Sequence, residues 1–240
     1  METETNKTAP AIELRKPATH HRLGRRRFST VELLIALALL FVSFPFVEEI
    51  KGGDIIVSIL LSLVLISAVL AVSNRRSTLV VAVLLATPAI GGRWVNHFQP
   101  NLVPAPIFLA AGLMLIAFVV VNLLRFILRA PSVTLEVLCA SISAYLMLGL
   151  MWTVAYWLVD QITPGAFAFN TNGGRQSMNG FNAFYFSFIT LSTVGYGDIT
   201  PLSRIARWLA AMEAMTGMLY VAVLIARLVS LYSTPKSPDS

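Results

Sequence analysis

Residues Gly180–Pro201 read GFNAFYFSFITLSTVGYGDITP, and the rest of the chain is laid out around them. Phe181–Ser192 is an apolar run of helical character, about twelve residues long, where a membrane crossing needs about 20. Such a segment is tolerated at membrane depth only if protein buries it, so it reads as a helix that enters and turns back. Behind it stands Thr193-Val194-Gly195-Tyr196-Gly197-Asp198. Two glycines one residue apart free alternate positions for left-handed backbone, which costs an ordinary L-residue roughly 1–2 kcal/mol. The plain alternative is a glycine-rich turn joining two apolar segments.

The six residues Thr193–Asp198, placed after a short apolar helix and between two spanning runs, resemble the selectivity filter of the potassium channels. That resemblance implies an all-α membrane protein with six transmembrane helices. A re-entrant pore helix and filter would lie between the fifth and sixth, and the pore would be tetrameric. A dehydrated cation must be wrapped in oxygens that replace its water, and successive backbone carbonyls do so when they face one way. Gly195 and Gly197 are expected to take the left-handed positions, with Thr193, Val194 and Tyr196 between and before them. The resemblance thus implies that Thr193, Val194, Gly195, Tyr196 and Gly197 bind ions, with K+ at Thr193–Tyr196 and the Thr193 hydroxyl adding an inner ring. K+ is the permeant ion and no cofactor is expected. One filter string per chain requires four chains around one axis, so a homotetramer is the expected assembly.

The whole composition fits. The 240 residues are 56% hydrophobic and 12% charged, with mean hydropathy +0.74. This marks an integral membrane protein with lipids as its surroundings. The net charge of +6 is no sign of nucleic acid, because Lys7, Arg15, Lys16, Arg22, Arg25, Arg26 and Arg27 supply most of it ahead of the first span. There they act as a topology signal. The single Cys139 lies in an apolar run and allows no intrachain disulfide. Metal-ligand spacing and phosphate loops are missing from the sequence, and His20, His21 and His97 fall in tails or loops, so enzymatic chemistry is not expected.

The chain divides into four segments: a basic cytoplasmic tail (1–28), a four-helix transmembrane domain (29–130), a pore domain (131–232) and a short cytoplasmic tail (233–240). The apolar runs are Val31–Val47, Ile55–Ser73, Thr78–Ile90, Ala105–Leu124, Val133–Val159 and Leu202–Leu231. The third reaches Val95 if Arg93 snorkels and Trp94 sits at the interface. Trp152, Tyr156 and Trp157 read as an aromatic belt at the outer end of the fifth. Asp160–Gly180, rich in Gly, Asn and Thr, reads as an extracellular turret. Thirteen Lys and Arg then fall inside and five (Lys51, Arg93, Arg175, Arg204 and Arg207) outside or at the outer interface. Both termini are placed in the cytoplasm and the protein in the cell membrane.

Departures from the resemblance are informative. Voltage-gated relatives carry a cation at every third position of the fourth span, whereas Ala105–Leu124 has no charge and Arg125 and Arg129 come after it. Strong voltage gating is therefore not expected, because charges at the interface cross little of the field. Where some relatives carry an acid behind the filter this chain has Ile189, which leaves Tyr185 as the expected partner of Asp198. Glu213 is the acid inside the last span, and Thr190 or Ser192 are candidate donors to it. It would brace the filter or, alternatively, raise cavity potassium by its charge. Gly217, nineteen residues past Asp198, falls where relatives bend the inner helix. It reads as a gating hinge, with close packing as the alternative. Met218, Val221 and Ile225 would line a cavity below the filter. The function implied is passive K+ conduction, and the alternative is a non-conducting regulatory or scaffolding subunit that keeps the pore fold.

Overall fold

A computed structural model describes residues 23–47, 52–72, 76–99, 102–170, 177–178 and 180–233, the side chains of 23–29 and 231–233 excepted. Among these residues the elements run α1 (Leu23–Val47), α2 (Gly53–Val72), α3 (Arg76–Phe98), α4 (Ala105–Arg129), α5 (Leu135–Ile162), β1 (Phe167–Phe169), α6 (Gly180–Leu191), β2 (Ile199–Pro201) and α7 (Arg204–Ser233). Every helix except α6 is long and apolar enough to cross a bilayer. The all-α, six-span architecture expected from hydropathy is the one found. Several expectations lie outside the described residues: most of the basic tail, the acidic pair Glu48 and Glu49, Lys51, Arg75, Arg175 and the tail beyond Ser233.

Local sequence explains the boundaries. Pro104 sits before α4 and Pro106 in its first turn, where a missing N–H breaks no helical bond. Thr134 caps α5, its hydroxyl accepting from the Val137 N–H at 3.4 Å. Asp54 stands in the first turn of α2, where a negative charge suits the helix dipole.

Between apolar helices in lipid, association rests on close packing rather than on hydrophobic transfer. Buried residues accordingly recur at three- and four-residue spacing: Leu33, Ala36, Leu37 and Leu40 on α1, and Leu115, Ile116, Val119 and Leu123 on α4. These stripes meet Val137, Ala140, Ala144 and Met147 of α5 in one core. From α1, Phe41 packs edge-on to Phe184 and Phe188 with ring centroids 4.8 and 4.6 Å apart, and Phe44 stacks on Phe184 at 4.9 Å. The short helix α6 is thus wedged between α1, α5 and α7 and shielded by protein.

One interface assignment needs correction: Tyr156 is not part of an outer aromatic belt, since it is wholly buried against Phe167 and Phe186. Helix α3 runs unbroken from Arg76 to Phe98 through Pro88, past the weak end of its apolar run. Near that end Arg93 Nε donates to Ser58 Oγ at 3.0 Å, its guanidinium carbon lies 6.0 Å from the Trp157 ring centroid, and Trp94 Nε1 donates to Ser62 Oγ at 3.2 Å. A polar group turned into a bundle needs a partner there, and the two α2 serines supply it.

Candidate functional site

Helix α6 has twelve residues, Gly180–Leu191, and the way it ends shapes the backbone from Ser192 onward. The last carbonyls of a helix lack intrahelical donors. Here the chain folds back over them: Ser192 N–H donates to Phe188 O at 3.1 Å and Thr193 N–H to Thr190 O at 2.9 Å. The N–H groups of Val194 and Gly195 then converge on one carbonyl, Ile189 O, at 2.8 and 3.1 Å. With these donors turned toward α6, the carbonyls of Thr193, Val194, Gly195 and Tyr196 accept no hydrogen bond among the described residues.

The backbone of this stretch alternates. Thr193, Gly195 and Gly197 have φ of 60°, 52° and 79°. At Gly195 and Gly197 an added Cβ would meet nothing within 4 Å, so conformation and not space calls for glycine there. Thr193 corrects the expected division of roles, because it also takes the left-handed conformation. For a β-branched residue this is a true outlier, of order 1–3 kcal/mol, and it persists where surroundings over-determine it. Its own N–H and that of Val194 are both fixed to α6, which supplies that constraint.

The outer end is tied separately. Tyr185 Oη donates to Asp198 Oδ2 at 2.8 Å, and Asp198 Oδ1 accepts from the Ile199 N–H at 3.0 Å. Asn170 adds a clasp: its N–H donates to Asp198 O at 2.7 Å and its Nδ2 to Gly197 O at 2.8 Å. The Gly197 carbonyl, expected among the ion ligands, is therefore partnered by protein and stands apart from the four before it. Asn170 is positioned by an antiparallel ribbon in which Phe167, Ala168 and Phe169 face Pro201, Thr200 and Ile199. Sequence reasoning missed both ribbon and clasp. The signal available was the alternating Phe-Ala-Phe after Pro164-Gly165.

Glu213 is fully buried on α7. Its donors are not Thr190 or Ser192; the Ser192 hydroxyl instead donates to Phe188 O at 2.6 Å. Tyr156 Oη of α5 donates to Glu213 Oε2, and Ser187 Oγ of α6 lies 2.6 Å from Oε1. The Ser187 hydroxyl also lies 2.8 Å from Gly149 O, and its single proton serves one acceptor at a time. The residue joins α5, α6 and α7, which is why removing it would strand polar groups on two other helices.

Gly217 lies one turn further along α7. An added Cβ would stand 2.1 Å from Leu191 O and 3.0 Å from Leu191 C, the last residue of α6. The close approach of two backbones requires glycine at this point, and α7 runs unbroken through it. Met218, Val221 and Ile225 lie beyond it on a largely exposed face of the single chain.

Residues 133–234 match the sequence model of a family described as ion channels. Over 95 residues the chain is 28% identical to an inward rectifier potassium channel, Kirbac3.1, of Paramagnetospirillum magnetotacticum, covering 38% of this chain and 28% of that protein. It is 34% identical over 87 residues to two-pore potassium channel 1 of Arabidopsis thaliana, covering 36% and 20%. A third relative, protein LctB of Geobacillus stearothermophilus, is 46% identical over 57 residues, covering 24% and 41%. The matched stretch thus spans well under two thirds of each relative. The family match over that stretch and the six apolar helices together describe a multi-pass membrane protein.

Proposed function

We propose that this chain is one subunit of a homotetrameric, potassium-selective channel that conducts passively. The observation that carries the reading is the run of four carbonyls, Thr193–Tyr196, without a donor among the described residues, in a backbone where the N–H groups of Thr193, Val194 and Gly195 are committed to Thr190 and Ile189. Four copies around an axis would turn these carbonyls into stacked oxygen rings that replace the hydration shell of K+. Thr193, Val194, Gly195 and Tyr196 would hold the ion, with the Thr193 hydroxyl as the innermost ring. Gly197 would serve through its φ. Asp198, Tyr185 and Glu213 would support the filter from outside and behind.

Met218, Val221 and Ile225 would line the cavity on the other side of the filter. The filter would open to the exterior and both termini would lie in the cytoplasm, an orientation supported by the excess of Lys and Arg on the opposite edge. Gating would not depend on charge movement in α4, whose charges, Arg125 and Arg129, stand in its last two turns after the uncharged stretch Ala105–Leu124.

The test is reconstitution in planar bilayers with opposed potassium and sodium gradients. The reversal potential is expected to track potassium, and barium to block near Thr193. A reversal potential that tracks sodium equally well would refute selectivity, and absence of current would leave a non-conducting subunit as the better reading.

A further inference from the structure

Around Glu213 there are more hydrogen-bond contacts than hydroxyl protons to fill them. Ser187 Oγ of α6 stands 2.6 Å from Glu213 Oε1 and 2.8 Å from Gly149 O, both distances of a made O–H···O bond. Tyr156 Oη makes the third contact, to Glu213 Oε2. Tyr156 and Ser187 bring one proton each, and an ionised carboxylate brings none. Two protons cannot fill three contacts, so with a carboxylate one side of Ser187 would set bare lone pairs against each other. Ser187 and Glu213 are both fully buried, which keeps bulk water from filling the gap. A carboxylic acid supplies the missing proton. Glu213 Oε1–H then donates to Ser187 Oγ, Ser187 Oγ–H to Gly149 O, and Tyr156 Oη–H to Glu213 Oε2, with every contact filled once.

The charges nearby agree with this count. A buried carboxylate needs a cation or a full set of donors. Toward Glu213, α5 brings Tyr156 and, without a hydrogen bond, Tyr145, while α6 brings Ser187. All three are neutral hydroxyls. Along α7 the flanking cations are committed elsewhere: Arg207 Nε donates to Pro201 O and Arg227 Nη2 to Ala130 O. Among the described residues no cation pairs with the acid.

We propose that Glu213 is held as a neutral carboxylic acid and that its proton keeps α6 clamped to α5 behind the filter. The effect of the clamp on conduction deepens the channel reading and rests on it; the protonation state does not. The two helices meet closely at this point, since a Cβ added at Gly149 would stand 2.1 Å from the Phe188 ring. Helix α6 in turn carries the Ile189 and Thr190 carbonyls that fix the N–H groups of Val194, Gly195 and Thr193. Removing the Glu213 proton leaves Ser187 with one proton for two acceptors. A charged acceptor outcompetes a neutral carbonyl, so Ser187 turns to Glu213 and its bond to Gly149 is lost. Helix α6 is then held less firmly, and the four carbonyls with it.

The protonation state is read first, without conduction. Infrared spectra of the purified full-length protein in detergent at neutral pH are compared with those of Glu213→Gln. A carboxylic-acid C=O band present in the wild type and missing from Glu213→Gln is expected, and its absence from the wild type overturns the proposal. Ser187→Ala removes the acceptor of the acid proton, so it is expected to keep the band and move it to higher frequency; an unmoved band overturns the relay. Conduction comes second. As the pH is raised, the wild-type K+/Na+ permeability ratio is expected to fall by up to roughly fivefold, the weight of one hydrogen bond. Glu213→Gln, whose amide cannot ionise, is expected to show no such fall. A constant ratio in the wild type, or an equal fall in both proteins, overturns the clamp. Absence of current in both would refute the channel reading alone, with the infrared bands still deciding the proton.

Discussion

Substituting Gly217 separates a bend from a contact. The Cβ of Gly217→Ala would stand 2.1 Å from the Leu191 carbonyl oxygen and 3.1 Å from Leu191 Cδ1. Ordinary carbon–oxygen contact is far longer than the first of these, and the obstacle is backbone, which cannot swing aside. Overpacking of this kind costs roughly 1–3 kcal/mol, relieved only if α7 and α6 move apart. Leu191 stands two residues before Thr193, so the movement is delivered to the strained residue itself. Gly217→Pro brings the same Cβ and also removes a helical N–H, about 3 kcal/mol or more in a helix interior. For the proposed tetramer, the expected outcome is that both variants weaken assembly, read as its loss on heating in detergent by size-exclusion chromatography. Surviving channels should show a lowered K+/Na+ permeability ratio. A hinge predicts otherwise: the alanine lowers open probability, the proline raises it, and assembly is untouched. Wild-type thermal stability and selectivity in Gly217→Ala would refute the contact role.

The same geometry sets three further outcomes. Tyr185→Phe deletes a hydrogen bond to a charged group, about 1.5–3 kcal/mol, and leaves the Asp198 side chain, among the described residues, with the Ile199 N–H alone; selectivity should fall while helix content stays the same, and an unchanged permeability ratio would remove the tether. Glu213→Gln can still accept from Tyr156 and donate to Ser187, whose proton then serves Gly149, so conductance should stay near normal at low and high potassium. Glu213→Leu strands the Tyr156 hydroxyl at about 1–3 kcal/mol and should reduce assembly; a conductance drop confined to low salt in Glu213→Gln would instead assign the residue a charge role. Any voltage dependence should be shallow and should survive Arg125→Gln/Arg129→Gln, because Ala105–Leu124 bears no charge and both arginines stand at the end of α4; steep activation abolished by that double variant would contradict it.

Hydropathy made the six spans legible, and the twelve-residue length of α6 was equally open to reading, because run length is a direct property of composition. What the helices face was not. Tyr156 looks like an interfacial aromatic in the sequence, yet its hydroxyl meets a carboxylate 57 residues away. Ser187 looks like an incidental polar residue in an apolar helix, and it is the α6 contact of Glu213. Such pairings belong to tertiary packing, which periodicity does not encode. Thr193 departs from expectation for a different reason. Intrinsic preference excludes a β-branched residue from positive φ, and here the hydrogen bonds of Thr193 and Val194 to α6 override it. The Asn170 clasp is hidden because three-residue strands carry little signal.

The fastenings also have an order that bears on how the stretch keeps its shape. A backbone with three left-handed positions, one of them threonine, would not hold this form by its own preference. Its inner end rests on Leu191, which Gly217 lets α7 approach. Its flank is fixed to Ile189 and Thr190 of α6, and α6 is in turn bound through Ser187 to Glu213 and Gly149. Its outer end is held by Tyr185 and Asn170. Each fastening takes up an N–H, a side chain or the carbonyl of Gly197 or Asp198, and among the described residues the carbonyls of Thr193 through Tyr196 are the acceptors of this stretch left over. The same contacts that enforce the strained conformation therefore leave four consecutive oxygens free to act together, and loosening any one contact should degrade selectivity before it unfolds the helices.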